Sequence, residues 1–190
     1  MKTADTPEVH RTLVCQFGGK PTSAPKMQLS SLRVLTFVVV TPLPVQFEGA
    51  HIEGSTVLSW AANNTKKLGQ KHCGELEAWT LISTREFGKT HKCPQESVPP
   101  EHMLKVQTLM LREFEAASGL PSGSVDPCYS KGQLWGAALP MNVMATGSGQ
   151  QHGDVLDAQR QASVCGDWLV APSIEGATLS GLALAEAITA

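Results

Sequence analysis

The spacing of apolar and polar positions sets out most elements of the chain. Arg33–Val40 (RVLTFVVV) is β-branched and apolar on both faces, as a buried strand requires. It stops at Thr41-Pro42-Leu43-Pro44, where two prolines withhold ladder donors. His51–Ala62 predicts a strand containing Val57, Leu58 and Trp60. The polar stretch Asn63–Lys67 then leads into a turn at Gly69, and Ala78–Ser83 (AWTLIS) predicts another short strand.

The clearest helix runs from about Pro100 to Ser118. Met103, Val106, Met110, Phe114 and Ala117 recur at spacings of three and four and form one apolar stripe, which core packing explains. Prolines suit its start, where no amide donor is needed, and Gly119 and Pro121 end it. Gln133–Leu139 predicts a strand, and 141–153 a weakly patterned loop. Arg160–Cys165 predicts a short strand, and Glu175–Ile188 a terminal helix. Residues 1–31 carry Gly18, Gly19, Pro21 and Pro25 without sustained periodicity, which predicts loop or poorly ordered tail. There is no internal repeat, and the pattern predicts an α+β fold or part of a larger α/β enzyme.

Composition narrows the function classes. The chain of 190 residues is 42% hydrophobic and 17% charged, with a net charge of −2, so it can build a core but offers no basic stripe for nucleic acid. The five cysteines (Cys15, Cys73, Cys93, Cys128, Cys165) are odd in number, scattered, and without a CxxC pair. A disulfide framework is not expected, and a reducing compartment fits better. The longest apolar run, Val34–Val40, is interrupted by Thr36 and far too short to span a membrane. The first thirty residues lack the apolar core of a secretory signal. A soluble intracellular protein is expected, with organelle targeting left open.

Candidate chemistry concentrates at the end of the chain. A strand closes at Cys165-Gly166-Asp167, a loop with Pro172 follows, and a helix opens at Ser173-Ile174-Glu175-Gly176-Ala177. Gly166 permits close approach to the backbone. Asp167 at a strand end can accept hydrogen bonds from ribityl or ribose hydroxyls. Gly176, Ala177, Ser180 and Gly181 keep the early helix thin, so a planar ring could come near its amides. The helix N-terminus favours negative charge by about 0.3–2 kcal/mol, as a reduced flavin presents around N1. A helix that uses small residues for close packing, capped by Ser173, explains the same spacing, and spacing alone favours that simpler account.

The segment CGDWLVAPSIEGATLSGLALAEAI resembles the C-terminal motif of renalase-like proteins, a branch of the flavin amine oxidase superfamily. The resemblance implies that Gly166 and Asp167 meet the ribityl and phosphate portion of FAD, and that Glu175, Gly176 and Ala177 lie beside the isoalloxazine ring. FVVVTPLPVQFEGAHIEGSTVLSWAANNTKKLG is similar to that family's substrate-domain strands and an Asn-containing loop. EAWTLISTREFGKTH resembles the hairpin and helix that follow. GQLWGAALP resembles a strand that usually begins His-Arg-Trp, where this chain has Gln133-Leu134-Trp135. The likeness covers roughly Leu35–Ile188 and places Asn64 and Trp135 toward the substrate side. It implies a mixed or antiparallel substrate-domain sheet with one long amphipathic helix, joined to the C-terminal strand-loop-helix of an FAD-binding α/β domain.

On this reading residues 1–32 are an unrelated or poorly ordered segment, 33–158 belong to the substrate domain, and 159–190 contact FAD. The expected activity is hydride transfer from a small amine-like or dihydropyridine-like substrate to FAD. Relatives open with a dinucleotide-binding unit carrying GxGxxG, which does not open this sequence. The alternative is therefore a non-catalytic remnant or interaction protein without its own FAD binding. No catalytic acid, base or nucleophile is assigned, because hydride transfer to a flavin requires none.

Other motifs carry less. Gly147, Gly149 and Gly153 form GxGxxxG, with Asp167 about 20 residues beyond Gly147, where a ribose-binding acid belongs. The strand before it is weak, and GDVLDAQRQ is too short and polar for a crossover helix, so a surface loop is expected. His72-Cys73 and His91-x-Cys93 do not fit zinc-pair spacing, and no metal is expected. No G-x-S-x-G elbow occurs.

Overall fold

The computed structural model describes residues 27–69, 75–94, 97–143, 153–157 and 161–189. Residues 1–26 and 144–152 lie outside that range, and with them most of the expected N-terminal tail, Gly147 and Gly149. The chain divides into two units. One is Ser30–Ala138, and the other joins the C-terminal residues from Leu139 to the segment before Ser30.

The Ser30–Ala138 unit is an α+β layer pair. Its antiparallel sheet comprises β1 (Leu32–Val39), β2 (Gly49–His51), β3 (Leu58–Asn63), β4 (Glu77–Ser83) and β5 (Tyr129–Trp135), in the order β2-β3-β4-β1-β5. In the paired register Leu35 stands opposite Leu81 and Gly132, and Phe37 opposite Trp79 and Ser130. Strand alternation therefore gathers Leu35, Phe37, Val39, Ala61, Trp79, Leu81 and Leu134 on one face, where all are buried.

Among the described residues this unit has the helices α1 (Asn64–Lys67), α2 (Arg85–Thr90) and α3 (Pro100–Ala117). The apolar stripe of α3 completes the core through Val106, Met110 and Phe114. The Phe114 ring lies 5.0 Å from Trp79 and 5.6 Å from Phe37, centroid to centroid. Met103 is half-buried and Ala117 exposed, so the buried stripe is shorter than its spacing predicts.

Buried polar groups fix the turns. After the prolines end β1, the Leu43 amide donates to Glu77 Oε2 at 2.6 Å, and Asn63 Nδ2 donates to the other oxygen. Asn63 Oδ1 in turn accepts from the Lys66 amide and caps α1. Beyond α3, Glu115 is buried and its carboxylate accepts from the Gly123 amide at 2.8 Å and the Val125 amide at 2.9 Å. Glu115→Ala should lower stability by about 2–3 kcal/mol, because the Val125 amide loses its partner away from water. A fall in the urea midpoint at constant slope would register that loss, and an unchanged midpoint would mean that water replaces the carboxylate.

The C-terminal unit pairs β6 (Asp154–Asp157) with β7 (Ala162–Cys165), antiparallel with Val155 opposite Val164. A one-turn helix, α4 (Asp167–Val170), and a long helix, α5 (Ile174–Thr189), follow. In the same unit, Leu29 bridges Pro140 and the Met141 amide donates to Gln28 O at 2.7 Å.

Four expectations change. His51–Ala62 is two strands joined by a loop at 52–57, with Ser55 Oγ accepting from the Val57 and Leu58 amides at 3.0 Å. The strand expected at Gln133–Leu139 lies at Tyr129–Trp135, because pairing with β1 outweighs the apolar run LWGAAL. Asn64–Lys67 forms a capped helical turn, not only a polar lead into the turn at Gly69. No strand is expected over Asp154–Asp157, which pairs as β6. Among the described residues no helix is long and apolar enough to cross a membrane.

Candidate functional site

The C-terminal unit brings Gly166 and the first turns of α5 together through Ser180. The Gly166 amide donates to Ser180 Oγ at 2.8 Å, and that hydroxyl donates to Gly153 O. One fully buried serine therefore ties the end of β7 and the residue before β6 to α5. Ser180 was not singled out from sequence as a tie. Its only signal there was its place in the run of small residues.

Gly166 has φ +158°, and a Cβ on it would fall 2.6 Å from Trp168 Nε1. A side chain at this position would require the Trp168 indole to move. Asp167, expected at the end of the strand, lies two residues beyond the end of β7 as the first residue of α4 and is half-buried, so a helical turn stands where a loop was expected.

The start of α5 is capped from within. Ser173 Oγ accepts from the Gly176 amide at 2.9 Å, and Ser173 O accepts from the Ala177 amide at 3.0 Å. A Cβ on Gly176 would overlap the carbonyl oxygen of Ala171 and stand 2.9 Å from its carbon. Gly176 is buried, whereas Glu175 and Ala177 are exposed.

Of the small residues of α5, Gly176 and Ser180 face inward and Ala183 is half-buried. A Cβ on Gly153 would lie 3.2 Å from Ala183 Cβ and 3.3 Å from Ser180 Cα, which measures how closely the helix approaches the start of β6. Four of its five large aliphatic residues face outward, Ile174 being 88% exposed, Ile188 62%, Leu182 56% and Leu179 49%, while Leu184 is half-buried. A helix that buries a glycine and a serine while presenting four large aliphatics to the outside inverts the usual arrangement.

The described residues meet a flavin in part. Asp167 and the exposed Glu175 remain available as polar groups, and the tip of α5 carries a helix dipole. The amides of Gly166 and Gly176 are already held by Ser180 and Ser173, and the space beside Gly176 is filled by Ala171. A cleft of 290 Å³ in this unit is lined by Leu156, Gln161, Ser163, Ala187 and Ile188. It lies at the far end of α5, about 20 Å from the tip at 1.5 Å per residue.

Asn64 and Trp135 belong to the other unit. Asn64 Nδ2 donates to Thr80 Oγ1 at 2.7 Å, and Thr80 shares a cross-strand row with Ala62, Thr36 and Lys131. Trp135 is 46% exposed at the end of the edge strand β5, four residues along from Lys131. Its pairing with Leu32 puts it on the same sheet face as that row, opposite the core. Both residues therefore border one sheet face, where Thr36, Trp60, Thr80 and Ile82 are half-buried. They are separated by roughly 16 Å, from about 3.4 Å per residue and about 4.8 Å per strand.

The sequence also gave no warning of the site around Arg33, a fully buried arginine in the inward register of β1. Its Nη2 donates to His91 O and lies 3.1 Å from Cys93 Sγ and 3.0 Å from His102 Nε2. Among the described residues no group of three metal-ligating side chains occurs. No protein-family model matches the chain.

Proposed function

We propose that the chain supplies the substrate-side sheet and the cofactor-proximal strand and helix of an FAD-dependent oxidoreductase of the renalase and amine oxidase kind. The observation that carries this reading is the outward aliphatic face of α5. Among the described residues the two-stranded ribbon and its helices leave this face of α5 uncovered, and such a helix calls for a further layer against its exposed side. In a dinucleotide-binding domain that layer is the βαβ sheet whose loop holds the pyrophosphate. The half-buried sheet face bordered by Asn64 and Trp135 is the corresponding candidate for a substrate wall.

Within that reading FAD supplies the acceptor for a hydride from a small amine-like or dihydropyridine-like substrate. Asp167 would accept hydrogen bonds from ribityl hydroxyls, and the α5 tip beside Glu175 would favour negative charge on the ring. In a flavin-loaded form of the protein, Asp167→Ala should reduce the flavin retained after purification. Unchanged flavin content would count against the assignment.

A second reading has its own support. The amides of Gly166 and Gly176 are bonded to serines of the same chain, so by itself the chain offers FAD few donors. A non-catalytic interaction protein that meets a partner through α5 fits this equally. The chain mixed with FAD and desalted should be colourless on both readings, and tightly retained yellow colour would contradict the view that the site is incomplete.

A further inference from the structure

We propose that Cys93 is a site of oxidation to sulfenic acid by hydroperoxides, selected by the buried guanidinium of Arg33. Arg33 is 0% exposed, and two of its nitrogens, Nε and Nη1, have no hydrogen-bond partner among the described residues. Buried charges are ordinarily paired, and an unmatched guanidinium is costly. Among the described residues its contacts are the His91 carbonyl, the His102 ring and the sulfur of Cys93, and only the sulfur can become an anion. The anion of a cysteine is its nucleophilic form, and a guanidinium N–H 3.1 Å away is placed to hold that charge.

The unpartnered nitrogens point to the product. When the sulfur attacks a hydroperoxide, an S–O bond forms and the O–O bond breaks. The sulfur is oxidised by two electrons to the sulfenic acid, and the peroxide is reduced to water or an alcohol. The new oxygen becomes an acceptor beside a guanidinium whose Nε and Nη1 still have N–H donors to offer. Cys93 is half-buried, which leaves access for a small peroxide, whereas Cys128 and Cys165 are more exposed but have no comparable cation in contact. Exposure alone therefore predicts the opposite order of reactivity.

The test treats the wild-type chain with hydrogen peroxide, traps sulfenic acid with dimedone, and follows each cysteine by peptide mass spectrometry. Cys93 should form adduct about tenfold faster than Cys128 or Cys165, the gain of one charge-assisted hydrogen bond. The preference should vanish in urea, where the cluster disperses. Equal or slower labelling of native Cys93 overturns the proposal, and so does a preference that survives in urea. Arg33→Lys keeps a charge but removes the Nε and Nη1 donors, and should bring Cys93 toward the Cys128 rate. An unchanged rate in that variant also overturns it. If the variant does not fold, the wild-type comparison of the three sites decides.

Discussion

Replacing Gly176 by alanine should unfold the C-terminal unit at a cost above about 3 kcal/mol, even with no flavin present. The added methyl would overlap the carbonyl oxygen of Ala171 and stand 2.9 Å from its carbon and its nitrogen. These are backbone atoms, so no side chain can turn away. Relief requires that the 171–173 turn move, and that turn carries the Ser173 cap of α5. The indole resonance of Trp168, beside Gly166, reports on this unit, while Trp79 and the core of the Ser30–Ala138 unit should keep their native signals. A glycine kept only to admit a cofactor ring would tolerate alanine in the unliganded chain. A native Trp168 signal in Gly176→Ala would therefore contradict the packing described here.

Phe114→Ala should cost the Ser30–Ala138 unit roughly 3–5 kcal/mol. Phe114 is fully buried and is the point where α3 meets the sheet, in edge contact with Phe37 and tilted against Trp79. Truncation removes its apolar area and leaves a cavity between β1, β4 and α3, all of them held by backbone pairing. Phe114→Leu should lose much less, since most of the volume remains. Urea unfolding followed through Trp79 fluorescence tests both, and equal losses would mean that the site collapses around the missing ring.

Part of this architecture is written in local pattern. β1 is legible because a central strand is covered by neighbours and alternates little, so RVLTFVVV carries enough apolar residues to declare itself. The stripe of α3 is legible because its period is sustained over four turns. β5 is not, because it is an edge strand whose outer residues Tyr129, Lys131, Gln133 and Trp135 are exposed, and its position comes from pairing with β1 far away in sequence. β6 has four residues with two apolar ones between aspartates, too few to establish any period.

The candidate site divides in the same way. Gly166, Asp167 and the Ser173 cap follow from a local strand-turn-helix pattern. The Gly153–Ser180–Gly166 tie joins three distant positions, and no local signal carries it. Arg33 and Glu77 occupy inward registers of their strands and Glu115 the buried side of α3, so their roles depend on partners brought together only by folding.

The most direct measurement is an amide NMR titration of the isotopically labelled chain with FAD. The account predicts weak shifts confined to Asp167 and to Ile174–Ala177, with all flavin lost on desalting. No perturbation at those amides, with changes elsewhere or nowhere, would contradict a cofactor-proximal role for the tip of α5.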